Sequence, residues 1–247
     1  MNRTIVLRYA FFALLILIGI RGGMAIVDDA HYEINTDPFS PSFLSFSENQ
    51  NGLFILERTA KRLDFLKLPE GKLVEGQTFD QMPTGMTMME DYCVVTTDHG
   101  AGMVHVLDQK TLQEIRHFPV GPGARSPILV NSKKQLVVCH TWLDEVALYD
   151  FSSGQLLKKI PVLRQPFVCV LSPDEKHLFV ANFITHQRAD QDTVSSAISV
   201  INTETWEVEK HLLLANGSNA LRGMTLSSDG KYVLISHNLG RFQVPTT

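Results

Sequence analysis

The chain has 247 residues, 44% hydrophobic and 19% charged, a balance that excludes a disordered or low-complexity protein. A formal net charge of −4 leaves no basic footprint for nucleic acid. Three scattered cysteines, Cys93, Cys139 and Cys169, exclude a disulfide framework. In chain order, the first predicted element is an export signal over residues 1–25. Arg3 and Arg8 give a positive start, an apolar run extends from Tyr9 to Ile20, and Gly22-Gly23-Met24-Ala25 forms a small-residue exit. The run is about 12 residues, short of the ~20 that span a bilayer, so the expectation is a cleaved signal with no membrane span afterwards. Residues from Ile26 onward are then periplasmic or extracellular.

A repeat organises the rest. Proline-led segments at Pro83, Pro127 and Pro166 run into apolar cores: Cys93-Val94-Val95-Thr96, Leu136-Val137-Val138-Cys139 and Leu178-Phe179-Val180-Ala181. A further core is Val233-Leu234-Ile235-Ser236, and a weaker one is Leu53-Phe54-Ile55-Leu56. Cys93 to Leu136 is 43 positions and Leu136 to Leu178 is 42, whereas Leu178 to Val233 is 55, which places an insertion at 183–196. Each unit continues through an alternating strand into an Asx turn (Val104 to Asp108, Val146 to Asp150, Ile198 to Asn202) and closes on a short strand. Four strands in about 42 residues predict an all-β fold, a β-propeller with four-stranded antiparallel blades. The expected blades lie near 40–80, 81–122, 123–163 and 164–217, with a partial blade at 218–247. About four and a half blades leave the propeller incomplete, so the expectation is the N-terminal part of a longer protein. Val94, Val137, Phe179 and Leu234 are expected in comparable, buried positions.

Phe179-Val180-Ala181-Asn182 followed by Ile198-Ser199-Val200-Ile201-Asn202-Thr203-Glu204-Thr205 resembles the YVTN repeat. Ser172-Pro173-Asp174-Glu175-Lys176 and Ser228-Asp229-Gly230-Lys231 are similar to its first turn, and Phe118-Pro119-Val120-Gly121 to its closing strand. The resemblance covers about residues 40–247. It implies a propeller and admits several functions, since such propellers include surface proteins, lactonase-like enzymes and haem-linked redox domains.

Candidate site residues follow from the period. Glu57, Thr97, His140, Asn182 and His237 end the second-strand cores, on the face shared by the loops that lead into the next blade. Arg125 and Arg222 each lie 11 positions before the next core, and paired guanidiniums suit a carboxylate or other anion. The alternative is a structural pair with Asp98 or Asp144. The insertion adds His186, Arg188, Asp190 and Asp192 to this face. The ligand-binding set is therefore Arg125, His140, Asn182, His186, Arg222 and His237, with no metal site and no catalytic residue assigned. Trp142 and Trp206 are expected as packing plugs. No C-x-x-C-H occurs, so the chain carries no covalent c-type haem, and no cofactor is identified.

Function reads as an exported binding module for a protein, polymer or small ligand. The resemblance also implies a redox reading, in which haem accompanies a downstream domain and His140 and His237 are axial ligands. It implies, less strongly, a lactonase-like hydrolase.

Overall fold

The computed structural model describes residues 40–239 except 48–50, 90 and 99, so the signal segment and residues 240–247 lie outside the described residues. Four antiparallel sheets follow one another along the chain. Sheet 1 holds β1 (Pro41–Phe46), β2 (Gly52–Glu57), β3 (Arg62–Lys67) and β4 (Lys72–Thr78). Sheet 2 holds β5 (Pro83–Met88), β6 (Tyr92–Thr97), β7 (Met103–Asp108) and β8 (Glu114–Pro119). Sheet 3 holds β9 (Ala124–Val130), β10 (Gln135–His140), β11 (Glu145–Asp150) and β12 (Leu156–Pro161). Sheet 4 holds β13 (Pro166–Leu171), β14 (His177–Asn182), β15 (Ala197–Asn202) and β16 (Glu207–Leu213). β17 (Ser218–Leu226) and β18 (Val233–Leu239) form a two-stranded fifth sheet. No α-helix occurs among the described residues.

Why these segments become strands is visible in their turns. Asp108 Oδ1 accepts from the Thr111 and Lys110 N–H groups (2.7 and 3.0 Å), and Asp150 Oδ1 from the Ser153 N–H (2.7 Å). Asn202 Oδ1 accepts from the Glu204 N–H (2.8 Å). Each is an Asx turn that reverses the chain between the third and fourth strands. The Thr111 N–H and hydroxyl hold the Asp108 carboxyl, and the Ser153 hydroxyl and N–H the Asp150 carboxyl, below their ordinary range.

Period-two alternation then builds the core, because every middle strand is buried on both faces. Phe54, Leu56 and Leu63 of sheet 1 pack on Cys93, Val95 and Leu107 of sheet 2. Val94, Val104 and Val106 turn the other way, onto Leu136, Val138 and Ala147 of sheet 3. Val137, Cys139 and Val146 meet Leu178, Val180 and Ile201 of sheet 4, with Trp206 as a plug. Polar stitches cross the same joints. The Thr84 hydroxyl donates to Ala124 O (2.6 Å), the Thr141 hydroxyl to Pro166 O (2.9 Å), and the Glu175 carboxylate accepts the Asn131 and Ser132 N–H groups (3.1 and 3.0 Å). Sheets stacked face to face, each with its first strand beside the next sheet's first strand, are the blades of a propeller.

Two burial expectations need correction. Leu234 is 55% exposed, and Phe179 is half-buried rather than buried. Ile235 and Met224 take the face of the fifth sheet that packs on sheet 4, so alternation turns Leu234 to the opposite face. Phe179 packs on that same joint, which a two-stranded sheet covers less fully than a four-stranded one.

Candidate functional site

The strand directions decide which loops meet. Each first strand starts, and each second strand ends, at one face of the stack: Pro83 pairs with Thr97, Ala124 with His140, Pro166 with Asn182 and Ser218 with Leu239. The loops after the second strands, and those leading into the next sheet, therefore share a face.

The second-strand ends point away from that shared surface. Thr97, His140 and Asn182 have the parity of Val95, Val138 and Val180, so alternation buries them between sheets. His140 is 1% exposed, with Nδ1 3.0 Å from Pro122 O and Nε2 3.1 Å from the Tyr149 hydroxyl. Both ring nitrogens are engaged, and burial pushes its pKa down. Asn182 is fully buried, and its Nδ2 donates to Ala197 O and Ser199 Oγ, both at 2.9 Å. The Thr97 hydroxyl lies 3.1 Å from His105 Nε2. Glu57 is 1% exposed beside Asp64 and Arg62, and burial, reinforced by the Asp64 charge, pushes its carboxyl up to about 7. His237 is exposed and opposes the Ala220–Arg222 irregularity of β17. His186 is exposed in the insertion, where Arg188 and Asp190 form a surface ion pair at 2.6 Å.

The arginines behave differently. Arg125, second residue of β9, places its guanidinium carbon 3.5 Å from the centroid of the Phe167 ring, and Phe167 is the second residue of β13. Phe167 stacks on Phe183 with centroids 4.8 Å apart and planes 27° apart, and Arg222 sits 5.3 Å above Phe183. An Arg–Phe–Phe–Arg ladder thus runs across sheets 3, 4 and 5. Among the described residues neither arginine forms an ion pair. Asp98 instead accepts the Trp142 indole N–H (3.3 Å) and the Gly100 N–H (3.2 Å), and Asp144 accepts the Gln165 N–H (2.8 Å). The proposed pairing of either arginine with Asp98 or Asp144 does not form.

Burial pushes the Arg125 guanidinium down to about 10, with Arg58 and Arg222 adding like-charge repulsion and Asp98 opposing it. Arg125 and Arg222, from sheets 3 and 5, thus bracket the aromatic pair, while Arg58, exposed just after β2, donates its Nε–H to Met82 Sδ. Arg125 is half-buried and Arg222 exposed, and a guanidinium with no carboxylate partner has N–H donors from which an oxyanion can accept. Beside them Trp142 is 65% and Leu143 44% exposed, so Trp142 is a surface residue rather than the expected plug. Gly123 shapes this hairpin contact: its φ is +76°, and a Cβ there would lie 2.7 Å from the Trp142 backbone nitrogen.

Phe167 and Phe183 were absent from the sequence-derived set, although the period points to them. Phe167 lies 42 positions after Arg125, and Phe183 lies 42 after Thr141, which itself follows Asp98 by 43. A separate cavity of about 630 Å³, lined by Phe54, Phe65, Lys67, Glu75 and Lys110 among others, opens beside the hairpins on the opposite face.

No family model matches the chain. It is 24% identical over 171 residues to antigen Lp49 of Leptospira interrogans, a match covering 63% of this chain and 36% of that protein. Hydrazine synthase of Kuenenia stuttgartiensis is structurally similar, with TM-score 0.74 at 18% identity, covering 88% of this chain and 61% of that one. The Cps50 (Swd1) β-propeller domain of Myceliophteria thermophila gives TM-score 0.63 at 11% identity, covering 81% of this chain and 63% of that one. The chain spans about a third of the curated relative and less than two thirds of these structures. Likeness at this identity shows the fold alone, and with the sheet topology it establishes an all-β chain of four-stranded antiparallel propeller blades.

Proposed function

We propose that this chain is the propeller of an exported, YVTN-like binding protein, and that its loop face captures an anionic group on a partner protein or polymer. One observation carries the reading: Arg125 is half-buried, has no carboxylate partner among the described residues, and is joined to Arg222 through the Phe167–Phe183 stack. The aromatic ladder holds Arg125 and Arg222 in place, so little side-chain entropy is lost when an anion docks. Trp142 and Leu143 add exposed apolar area next to the charge, the composition of an interface centre. The export signal at 1–25 and the repeat resemblance support an extracellular or periplasmic setting.

Titration of the purified protein with poly-L-glutamate as the acidic probe tests the reading. Saturable binding is expected, weakening with added salt and at least tenfold in Arg125→Leu and in Arg222→Leu. Equal affinity in both variants and the parent would remove the loop face as the anion site.

A further inference from the structure

Sheet 2 carries a second cluster, distant in sequence logic from the arginines. His105 on β7 and His117 on β8 are direct cross-strand partners, so their side chains share a face. Glu114 joins them because the pairing slips. From Met103 to Val106 each β7 residue opposes a β8 residue in regular register, but Leu107 opposes Glu114 instead of Ile115. This bulge leaves Ile115 53% exposed and turns Glu114 onto the histidine face. Its two carboxylate oxygens then lie 2.5 Å from His105 Nδ1 and 2.6 Å from His117 Nδ1.

The fold does not demand this trio. The same bulge recurs in sheets 3 and 4, where the corresponding positions hold Ala147, Leu156 and Lys159, and Ser199, Val208 and His211. Only sheet 2 combines two imidazoles and a carboxylate.

We propose that His105, Glu114 and His117 form a binding site for a divalent transition metal, zinc foremost. Zinc takes imidazole nitrogen and carboxylate oxygen at about 2.0–2.2 Å in a tetrahedron, which requires ligand atoms about 3.4 Å apart. The three ligand atoms here all lie within 4.8 Å of one another, so side-chain rotation alone opens the space. Three protein ligands leave a fourth position for water. The His117 side chain is 56% exposed and gives the ion a path from solvent, whereas that of His105 is only 13% exposed and is fixed by its surroundings. Its ring packs 4.9 Å from Phe79, and its Nε2 faces the fully buried Thr97 hydroxyl at 3.1 Å. A metal on Nδ1 in place of its proton requires a proton on Nε2, and the Thr97 hydroxyl is positioned to accept from it. The Glu114 N–H donates to Gln77 Oε1 (3.3 Å), near the end of β4, so the site ties sheets 1 and 2 together.

The test is calorimetric titration of the full-length chain, without a histidine tag and freed of metal by chelator, with zinc sulfate. One ion per chain is expected to bind. His117→Ala and Glu114→Gln should each weaken binding at least tenfold while leaving the β-sheet circular dichroism unchanged. Thr97→Val, which removes only the positioning hydroxyl, should weaken it about tenfold, with Thr97→Ser restoring it. His211→Ala, at the corresponding place in sheet 4, should bind like the parent. Cobalt(II) in place of zinc should give the visible bands of a tetrahedral site, lost in His117→Ala. The proposal fails if the parent shows no saturable binding, or if the His105→Ala/His117→Ala double variant binds as tightly as the parent.

Discussion

Arg125 and Glu57 show how burial acts on single residues with opposite consequences. Arg125 keeps a charge the fold disfavours, since its guanidinium is pushed down to about 10 by desolvation. Replacing it removes that penalty along with the contact to Phe167. Arg125→Leu should therefore unfold at the parent's Tm or up to about 4 °C higher, even as anion binding is lost. A Tm more than about 5 °C lower would make the guanidinium a structural clamp. Glu57 is the reverse case, a carboxyl pushed up to about 7 by burial and then by Asp64. Between about pH 4.5 and 7 the folded chain holds a proton that the unfolded chain releases, so stability falls as pH rises through that window. The loss should be roughly 1–3 kcal/mol. Denaturant melts at pH 5 and pH 8 should show it in the parent, and Glu57→Gln should flatten the difference.

At the scale of the element, the doubly buried middle strands carry the core, and the proposed anion site draws on the first strands and the residue after β14. Leu178 is fully buried between sheets 3 and 4, so Leu178→Ala should cost about 2–5 kcal/mol in chemical denaturation. Phe179, its neighbour, faces the half-covered joint with the fifth sheet and should cost less when truncated. That order would invert if β14 were registered one residue differently. Gly123→Ala tests the loop face: with φ at +76° and a Cβ driven against the Trp142 backbone, it should destabilise by about 1–3 kcal/mol and weaken binding of poly-L-glutamate. Unchanged binding would detach the Trp142 hairpin from the anion site.

For the whole molecule, a net charge of −4 coexists with two guanidiniums, Arg125 and Arg222, joined by one aromatic stack. The proposed anion capture there would work against the global field, so its salt dependence should be shallow compared with that of a basic protein, and measurable as affinity between 50 and 300 mM salt. Export is tested separately, by N-terminal sequencing of protein recovered outside the cytoplasm, which should begin near Ile26.

Sequence by itself determined the strands, the sheet count and the turn positions. The 42–43-residue period, the Asx residues at Asp108, Asp150 and Asn202, and the alternating apolar cores are local signals that need no partner to be read. They also placed the arginines and the second-strand ends at one edge of the stack, because antiparallel neighbours return the chain to the same side. Only the tertiary structure decided which of those side chains look outward. His140 and Asn182 are buried between sheets, and so is Thr141, whose hydroxyl donates to Pro166 O, whereas Phe183 is half-buried beneath Arg222; with both faces of a middle strand covered, parity alone does not say which side chain reaches the surface. The same holds for Glu114. Its place between His105 and His117 depends on a bulge at Ile115, and a bulge is a property of how two strands pair rather than of either strand's sequence.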